Sequence, residues 1–267
     1  MIQEYYTPST IAEAVSLKRR FGKHIIYYAG GTHINYAPVK NEATKAIGLN
    51  RLGLTNIWQK SGVVTIESGV TLQQIIDSPE TPQTLKEACR MVITRNIRNI
   101  ATIGGNVAAN RPDSPIIPFL MTCGAQIELD GQRPIRIEEY IGKRDGEFIV
   151  QILLPKVAGT FSIKRVTHSA NGLPVLTVAV KIESDRRSIT GAIVVVSGLE
   201  ERIRRLEEIE AELIKNQLSD PEGIERQVAT LVQPTNDHIG SGAYKRYICG
   251  VTVVDCIREC LQQGEVL

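Results

Sequence analysis

Two segments, Tyr28-Ala29-Gly30-Gly31-Thr32-His33 and Ala101-Thr102-Ile103-Gly104-Gly105-Asn106, each place a glycine pair behind an apolar run and beside a threonine. Glycine lacks a Cβ atom, so it permits backbone conformations closed to other residues and lets a ligand oxygen approach the main-chain N–H groups. One such pair could be an ordinary turn between a strand and a helix. Two pairs about seventy residues apart predict two loops that converge and grip the diphosphate of a ligand from both sides.

Other phosphate-binding motifs do not match these segments. Neither glycine pair fits Gly-x-Gly-x-x-Gly or Gly-x-x-x-x-Gly-Lys-Ser/Thr, which argues against a Rossmann or Walker-type site. Arg95 and Arg98 precede the second pair. They are either phosphate ligands or hydrogen-bond donors that fix the loop, because the planar guanidinium suits both roles.

Composition excludes several classes of protein. The chain has 267 residues, 42% of them hydrophobic and 22% charged, and a formal net charge of +2. These values are typical of a globular protein with more than one domain and indicate no nucleic-acid surface. The sequence lacks an apolar run long enough to span a membrane and a basic, apolar N-terminal signal. We therefore expect a cytoplasmic protein that binds neither membranes nor nucleic acid.

The cysteines argue against disulfides and metal sites. There are five, an odd number, and none is in a Cys-x-x-Cys pair, which favours reduced thiols. Cys249, Cys256 and Cys260 fall on one helical face and are predicted to be buried. We also find no residues with the spacing of a hydrolytic triad or a paired-carboxylate site, so no catalytic residue and no metal ligand is expected.

Hydrophobic periodicity divides the chain near residue 157. Before it, short strands and helices mix; after it, three longer strands precede three helices, as in an α+β unit. The predicted helices are 10–21, 71–77, 82–93, 115–121, 202–215, 221–232 and 241–262. The predicted strands are 24–28, 46–49, 62–67, 126–129, 148–154, 161–167, 173–182 and 188–197.

Several motifs together resemble one protein family. They are the Ala29-Gly30-Gly31-Thr32 start, the string Arg98-Asn99-Ile100-Ala101-Thr102-Ile103-Gly104-Gly105-Asn106, the downstream Pro112, Ser114 and Pro118, and Ser241-Gly242-Ala243-Tyr244-Lys245-Arg246-Tyr247. This pattern is similar to that of the FAD-binding medium subunit of molybdenum hydroxylases, the family of xanthine dehydrogenase and carbon monoxide dehydrogenase.

The resemblance implies a fold and a function. The fold would be α+β, with a p-cresol methylhydroxylase-type FAD-binding domain over 1–157, in lobes 1–56 and 57–157. A small C-terminal domain over 158–267, like that of carbon monoxide dehydrogenase flavoproteins, would hold a three-stranded antiparallel sheet with helices. The cofactor would be FAD, and the partners a [2Fe–2S] subunit and a large molybdopterin-binding subunit. Electrons would pass from the clusters through FAD to NAD⁺ or another acceptor.

The resemblance also implies which residues hold the cofactor. The first diphosphate loop would comprise Ala29, Gly30, Gly31, Thr32, His33 and Ile34. The second would comprise Thr102, Ile103, Gly104, Gly105 and Asn106. Ile149 would lie against the flavin ring system. Lys164 is either an ordinary solvated strand residue or a lysine beside the flavin, where an ammonium would favour negative charge on the reduced ring.

Two positions depart from the family pattern. Pro115 stands where xanthine dehydrogenase-like members have aspartate, and His33 stands where many relatives have aspartate. Asp113 is a candidate to replace the missing carboxylate. These departures keep one alternative open, an assembly or binding subunit with a degenerate flavin site. A stand-alone flavin oxidoreductase is a further alternative, although no substrate-facing acid, base or nucleophile is found for it.

Overall fold

The computed structural model describes residues 2–36, 42–92, 94–143, 146–169, 172–185 and 188–265.

Local signals set the start of the first helix, Ile11–Phe21. The Thr10 hydroxyl accepts a hydrogen bond from the Glu13 amide at 3.2 Å, and the Glu13 carboxylate accepts one from the Ser9 amide at 2.9 Å. The first bond satisfies an N–H group that the first helical turn leaves without a partner, and the second fixes the chain just before the helix.

Strands and helices come mostly in runs along the described chain. In order they are β1 (Glu4–Tyr6), α1 (Ile11–Phe21), β2 (Ile25–Tyr28), β3 (Lys45–Gly48), β4 (Ile57–Lys60), β5 (Val63–Glu67), α2 (Leu72–Asp77), α3 (Gln83–Arg90), α4 (Arg95–Arg98), α5 (Ile103–Ala109), α6 (Ile116–Thr122), β6 (Gln126–Leu129), β7 (Ile135–Arg136), α7 (Ile137–Lys143), β8 (Ile149–Pro155), β9 (Thr160–Thr167), β10 (Pro174–Ser184), β11 (Ile189–Ser197), β12 (Arg204–Arg205), α8 (Glu207–Asn216), α9 (Pro221–Leu231) and α10 (Gly242–Glu265).

Most predicted elements are confirmed, with ends that shift by a few residues. The helix predicted over 82–93 ends at Arg90, and Ile93 lies outside the described residues. Short elements of two to seven residues went unpredicted, because so few residues carry little periodicity. These are β1, β4, β7, β12, α4, α5 and α7.

The chain forms two units, and each is discontinuous in sequence. The first comprises the residues up to Thr81, Val92–Asn110 and Ala125–Leu154. The second comprises Pro82–Met91, Arg111–Gly124 and the chain from Pro155 onward. The change of unit at Pro155 lies near the predicted boundary after residue 157. No pattern in the sequence predicts that α3 and α6 join the second unit.

The first unit contains two sheets. A three-stranded parallel sheet has the order β1-β3-β2, and α1 packs on it around a core of Ala14, Ile25 and Ile47. A five-stranded sheet has the order β4-β5-β8-β6-β7. Strand β2 is an edge strand, and its last residue, Tyr28, leads directly into the first glycine pair.

The second unit is built on a sheet with the order β12-β11-β10-β9. Its core combines alternate residues of β10 and β11 with apolar faces of α8, α9 and α10, while α6 contacts β10 and β11. The prediction of three strands was wrong, because Arg204–Arg205 pairs with Val195 and Val196 as a fourth.

That fourth strand also corrects the helix predicted over 202–215, which begins at Glu207. The guanidinium of Arg205 donates to the buried carboxylate of Glu210 at 2.7 and 2.8 Å, and the amide of Val194 donates to the same carboxylate at 2.9 Å. A buried carboxylate needs such partners. Glu210 therefore holds Arg205 in the sheet rather than in the helix.

The last helix confirms the prediction for the cysteines. Cys249, Cys256 and Cys260 are fully buried in the core of the second unit, and burial raises the pKa of each thiol to about 12. These thiols stay protonated at neutral pH and act as small apolar residues. Although α10 has 24 residues, no helix in the described ranges is long and apolar enough to span a membrane.

A buried lysine fixes the start of α10. Lys245 is 2% exposed, and its ammonium donates to the Asp237 carboxylate at 2.6 Å and to the Thr235 carbonyl at 3.2 Å. The carboxylate also accepts from the amides of Ile239 and Gly240. Lys245, the first of the two basic residues in the Tyr244-Lys245-Arg246 motif, therefore stabilises the loop that precedes the helix.

We expect Lys245→Met to lower the free energy of unfolding by about 1–2 kcal/mol, because it removes a charge-assisted hydrogen bond to a partly exposed carboxylate. The hydrogen bond from Lys245 is the largest cause that lowers the pKa of Asp237. A carboxyl with a lowered pKa stabilises the fold at neutral pH and loses that contribution as the pH falls through this pKa. Urea unfolding at about pH 7 and about pH 3 should show a smaller difference between variant and wild type at the lower pH.

The exposed Lys215 on α8 offers a matched control. Lys215→Met should change the free energy of unfolding by less than about 0.5 kcal/mol. An equal loss in both variants would show that the Lys245 pair does not stabilise the loop.

Candidate functional site

The first glycine segment is a tight turn that follows β2. The amide of Asn35 donates to the carbonyl of Gly31 at 2.9 Å, and the amide of Tyr36 donates to the carbonyl of His33 at 3.1 Å. Gly31 is buried and has φ +69°, a left-handed conformation that glycine adopts without strain. The predicted residues Thr32, His33 and Ile34 are half-buried within this turn.

This turn presents main-chain donors. Within the described ranges, the amides of Gly30, Gly31 and Thr32 donate no hydrogen bond to another residue. More than nine in ten buried backbone N–H groups in proteins have a partner. Consecutive free N–H groups in a turn form an anion-binding concavity. The turn is therefore equipped to receive a phosphate group.

The two glycine segments meet at Gly30. A Cβ atom added to this residue would overlap the carbonyl oxygen of Ile100, the second residue before Thr102. Such an approach of one main chain to another is open only to glycine. The prediction that two distant glycine segments converge is confirmed within the first unit.

The second segment is not a loop with free amides, as we expected, but the N-terminus of α5. Thr102 caps this helix and accepts from the amide of Gly105 at 3.1 Å. Three further amides are also bonded: that of Ile103 to the carbonyl of Val70, that of Gly104 to the carbonyl of Ser68, and that of Asn106 to the carbonyl of Thr102. The reason is tertiary, because the strand-to-helix turn at 68–70 supplies acceptors that no local pattern reveals.

Its two glycines have different roles. A Cβ on Gly104 would lie 2.5 Å from the Cβ of Ser68 and 2.8 Å from the Ser68 carbonyl oxygen. Gly105 is exposed, and a Cβ there would meet only the hydroxyl of Thr102, at 2.8 Å. Gly104 therefore permits close packing of α5, while Gly105 leaves the outer face of the first turn uncovered.

The two arginines before this helix differ. Arg98 donates to the Val92 carbonyl at 2.8 Å and to the Gln73 side chain at 3.2 Å. It is a hydrogen-bond donor that fixes the turn, as one of the two interpretations had it. Arg95 is exposed.

Ile149 and Lys164 are distant in sequence from the two glycine segments. Ile149 belongs to the first unit, as the segments do, whereas Lys164 belongs to the second. Ile149 is buried at the start of β8, opposite Leu129 of β6. Lys164, on β9 of the second unit, lines a cavity of about 530 Å³ with Ile248, Val251 and Asp255 of α10. The structure thus brings together the two glycine segments, and it places Lys164 in a cavity of the second unit.

The ammonium of Lys164 is held by carboxylates. It lies 2.8 Å from Glu259 and 3.9 Å from Asp255, and the hydroxyl of Ser162 donates to Glu259 at 2.6 Å. Partial burial alone would lower the pKa of Lys164, but the hydrogen bond and charge of Glu259 outweigh it and raise this pKa. Lys164 is therefore charged at neutral pH.

Asp113, the candidate replacement for the missing carboxylate, is engaged elsewhere. Both of its oxygens accept from the guanidinium of Arg111, at 2.8 and 2.7 Å. Pro115 precedes the first turn of α6, where the hydroxyl of Ser114 accepts from the amides of Ile116 and Ile117 at 3.3 Å. This segment thus serves to start a helix in the second unit.

Known proteins share both the sequence pattern and the fold. A family model described as the FAD binding domain in molybdopterin dehydrogenase matches residues 1–157. The chain is 30% identical over 265 residues to the uncharacterized protein YgfM of Escherichia coli (strain K12), covering 99% of both. It is 25% identical over 231 residues to the glyceraldehyde dehydrogenase medium chain of Sulfolobus acidocaldarius, covering 80% of this chain and 82% of that one.

A solved structure confirms the α+β fold. It is that of carbon monoxide dehydrogenase from Hydrogenophaga pseudoflava, in a form that lacks the Mo-pyranopterin moiety of the molybdenum cofactor. The two chains superimpose with a TM-score of 0.89 at 20% identity, over 98% of each.

The different roles of Gly104 and Gly105 can be tested by unfolding. Gly104→Ala should lower the free energy of unfolding by about 1–3 kcal/mol, because its methyl group would press against the main chain and Cβ of Ser68. Gly105→Ala should cost less than about 1 kcal/mol, since the new methyl group meets one side-chain oxygen rather than main chain, and alanine favours a helix over glycine. Equal losses for the two variants in urea unfolding would contradict this distinction.

Proposed function

This chain belongs to the family of the FAD binding domain in molybdopterin dehydrogenase, and from that premise we propose that it is the FAD-bound electron-transfer subunit of a molybdenum hydroxylase. It is an oxidoreductase subunit whose cofactor is FAD. The observation that carries the proposal is the contact of Gly30 with Ile100. Through this contact, the segment with the free amides lies next to the residues that lead into α5.

The residues of the first segment fit a diphosphate. The amides of Gly30, Gly31 and Thr32 have no partner among the described residues, and a diphosphate supplies several acceptor oxygens. Gly105 adds an uncovered first helical turn beside the Thr102 hydroxyl. In this proposal the first segment donates the main-chain hydrogen bonds, and Thr102, Gly105 and Asn106 line the opposite side.

FAD, when bound, supplies the capacity to accept electrons singly and to pass them on as a pair. The chain itself binds, orients and electrostatically tunes the cofactor. We propose that Ile149 and Lys164 contribute to its environment, as the family resemblance implies. The Lys164 ammonium and its two carboxylates, Asp255 and Glu259, carry a net charge of −1, so removal of the lysine leaves a more negative surrounding.

The partners follow from the relatives. The Sulfolobus protein is named as a medium chain, and by analogy this chain would assemble with a [2Fe–2S] subunit and a large molybdopterin-binding subunit. Electrons would reach FAD from the clusters and leave to NAD⁺ or another acceptor. Co-purification of the native complex, with iron, molybdenum and flavin content measured, tests this assembly. Purification of a stable, flavin-loaded single chain with its own oxidase activity would favour the stand-alone flavin oxidoreductase instead.

We expect the purified chain to bind one FAD with a dissociation constant in the micromolar range or below, measured by equilibrium dialysis. Gly30→Ala should lose this binding, because the added methyl group would push the Ile100 carbonyl away and separate the two segments. Gly142→Ala on α7 is the matched control, since nothing lies within 4 Å of the added atom. Wild-type protein that does not bind FAD would favour a degenerate flavin site. Folded Gly30→Ala protein with unchanged FAD affinity would contradict the proposed role of the Gly30 contact.

Lys164→Ala should lower the reduction potential of bound FAD more than it changes FAD affinity. Loss of the ammonium leaves Glu259 and Asp255 uncompensated, and negative charge nearby disfavours electron uptake. Glu259→Gln should shift the potential in the opposite direction. Redox titration of the FAD-loaded variants measures both shifts, and an unchanged potential in both removes Lys164 from the flavin environment.

A further inference from the structure

Two side chains close the first glycine segment like a clasp. The side-chain amide of Asn35 donates to the hydroxyl of Tyr28 at 2.8 Å. Tyr28 is the residue just before Ala29, and Asn35 is the residue just after Ile34. The hydrogen bond therefore joins the two ends of the segment. We call this pair the Tyr28–Asn35 clasp.

The clasp lies directly over Gly31. A Cβ atom on Gly31 would overlap the Tyr28 hydroxyl and would lie 3.0 Å from the side-chain nitrogen of Asn35. The hydroxyl can occupy this position only because residue 31 has no side chain. Gly31, whose amide is free, therefore lies against both members of the clasp.

Both members are also fixed from the main chain. The carbonyl of Tyr28 accepts from the amide of Leu49 at 3.0 Å, which continues the pairing of β2 with β3. The amide of Asn35 donates to the carbonyl of Gly31 at 2.9 Å. The ring of Tyr28 also packs edge-to-face on the ring of Tyr5, with centroids 5.9 Å apart. The clasp thus links Asn35, at the end of the turn, to Tyr28, which is fixed in the sheet.

We infer that Tyr28 and Asn35 are positioning residues for the diphosphate, an inference that rests on the proposed function. Neither side chain needs to touch the ligand. A turn held in its binding conformation loses less conformational entropy when the ligand binds, so the affinity is higher. The clasp keeps the turn that carries the amides of Gly30, Gly31 and Thr32 in one conformation before FAD arrives.

The test compares FAD affinity with the stability of the FAD-free chain. Tyr28→Phe and Asn35→Ala should each weaken FAD binding by about three- to tenfold, the effect of one lost hydrogen bond. Because both remove the same bond, the double variant should weaken binding by about the same factor rather than by the product. Melting temperatures of the FAD-free variants should stay within a few degrees of wild type.

Tyr5→Phe is the matched control, because it keeps a ring against Tyr28 and removes a hydroxyl with no hydrogen bond among the described residues. It should leave FAD affinity unchanged. Hydrogen exchange of the FAD-free chain gives a second readout: the amide of Asn35, which donates to the Gly31 carbonyl, should exchange faster in Tyr28→Phe and not in Tyr5→Phe.

The outcomes separate the two proposals. Wild-type protein that does not bind FAD would remove the proposed function, whatever the exchange rates show. Wild-type protein that binds FAD, together with a Tyr28→Phe variant that binds equally well or more tightly, would overturn the clasp alone. Multiplied losses in the double variant would also overturn it, since the two side chains would then act separately.

Discussion

The contact between Gly30 and the carbonyl of Ile100 is the constraint on which the first unit depends. It joins the end of a parallel sheet to the turn before α5, and neither partner can move without moving main chain. Side-chain contacts adjust by rotation, whereas two backbones in contact fix each other's position to within a fraction of an ångström. The free amides of residues 30–32 owe their fixed placement to this approach.

The second unit adds buried or half-buried charges to its apolar core. Glu210 binds Arg205 and a strand amide, Lys245 binds Asp237 and a carbonyl, and Glu259 binds Lys164 and Ser162. Each charged group gains several hydrogen bonds, which offset the cost of its removal from water. These bonds also specify which strand or loop each helix adjoins. A close main-chain approach thus fixes part of the first unit, and side-chain ion pairs add specific contacts to the apolar core of the second.

The sequence carried much of this information, but unevenly. Long apolar runs such as 173–182 and 188–197 predict strands because their periodicity is strong, and the glycine pairs include three positions, Gly30, Gly31 and Gly104, where a Cβ atom would overlap another residue. The partners of those glycines were not predictable, since Ser68 and Ile100 carry no pattern that marks them. For the same reason the bonded amides of 103–106 and the Tyr28–Asn35 hydrogen bond emerge only in three dimensions. Arg205, within a charged run that favours helix, joins a strand because its pairing with Val195 and its bond to the buried carboxylate of Glu210 outweigh local propensity.

The discontinuous second unit has a consequence for synthesis on the ribosome. Helix α6 is buried along its whole length against β10 and β11, yet it leaves the exit tunnel long before those strands do. Until residues 174–197 emerge, its isoleucines and phenylalanine have no sheet to cover them, and a nascent chain in that state is a substrate for chaperones. A polypeptide that ended at residue 157, where the FAD-binding family match ends, would lack β10 and β11 and leave this apolar helix uncovered. Helix α6 and the strands that cover it must therefore be encoded in one chain.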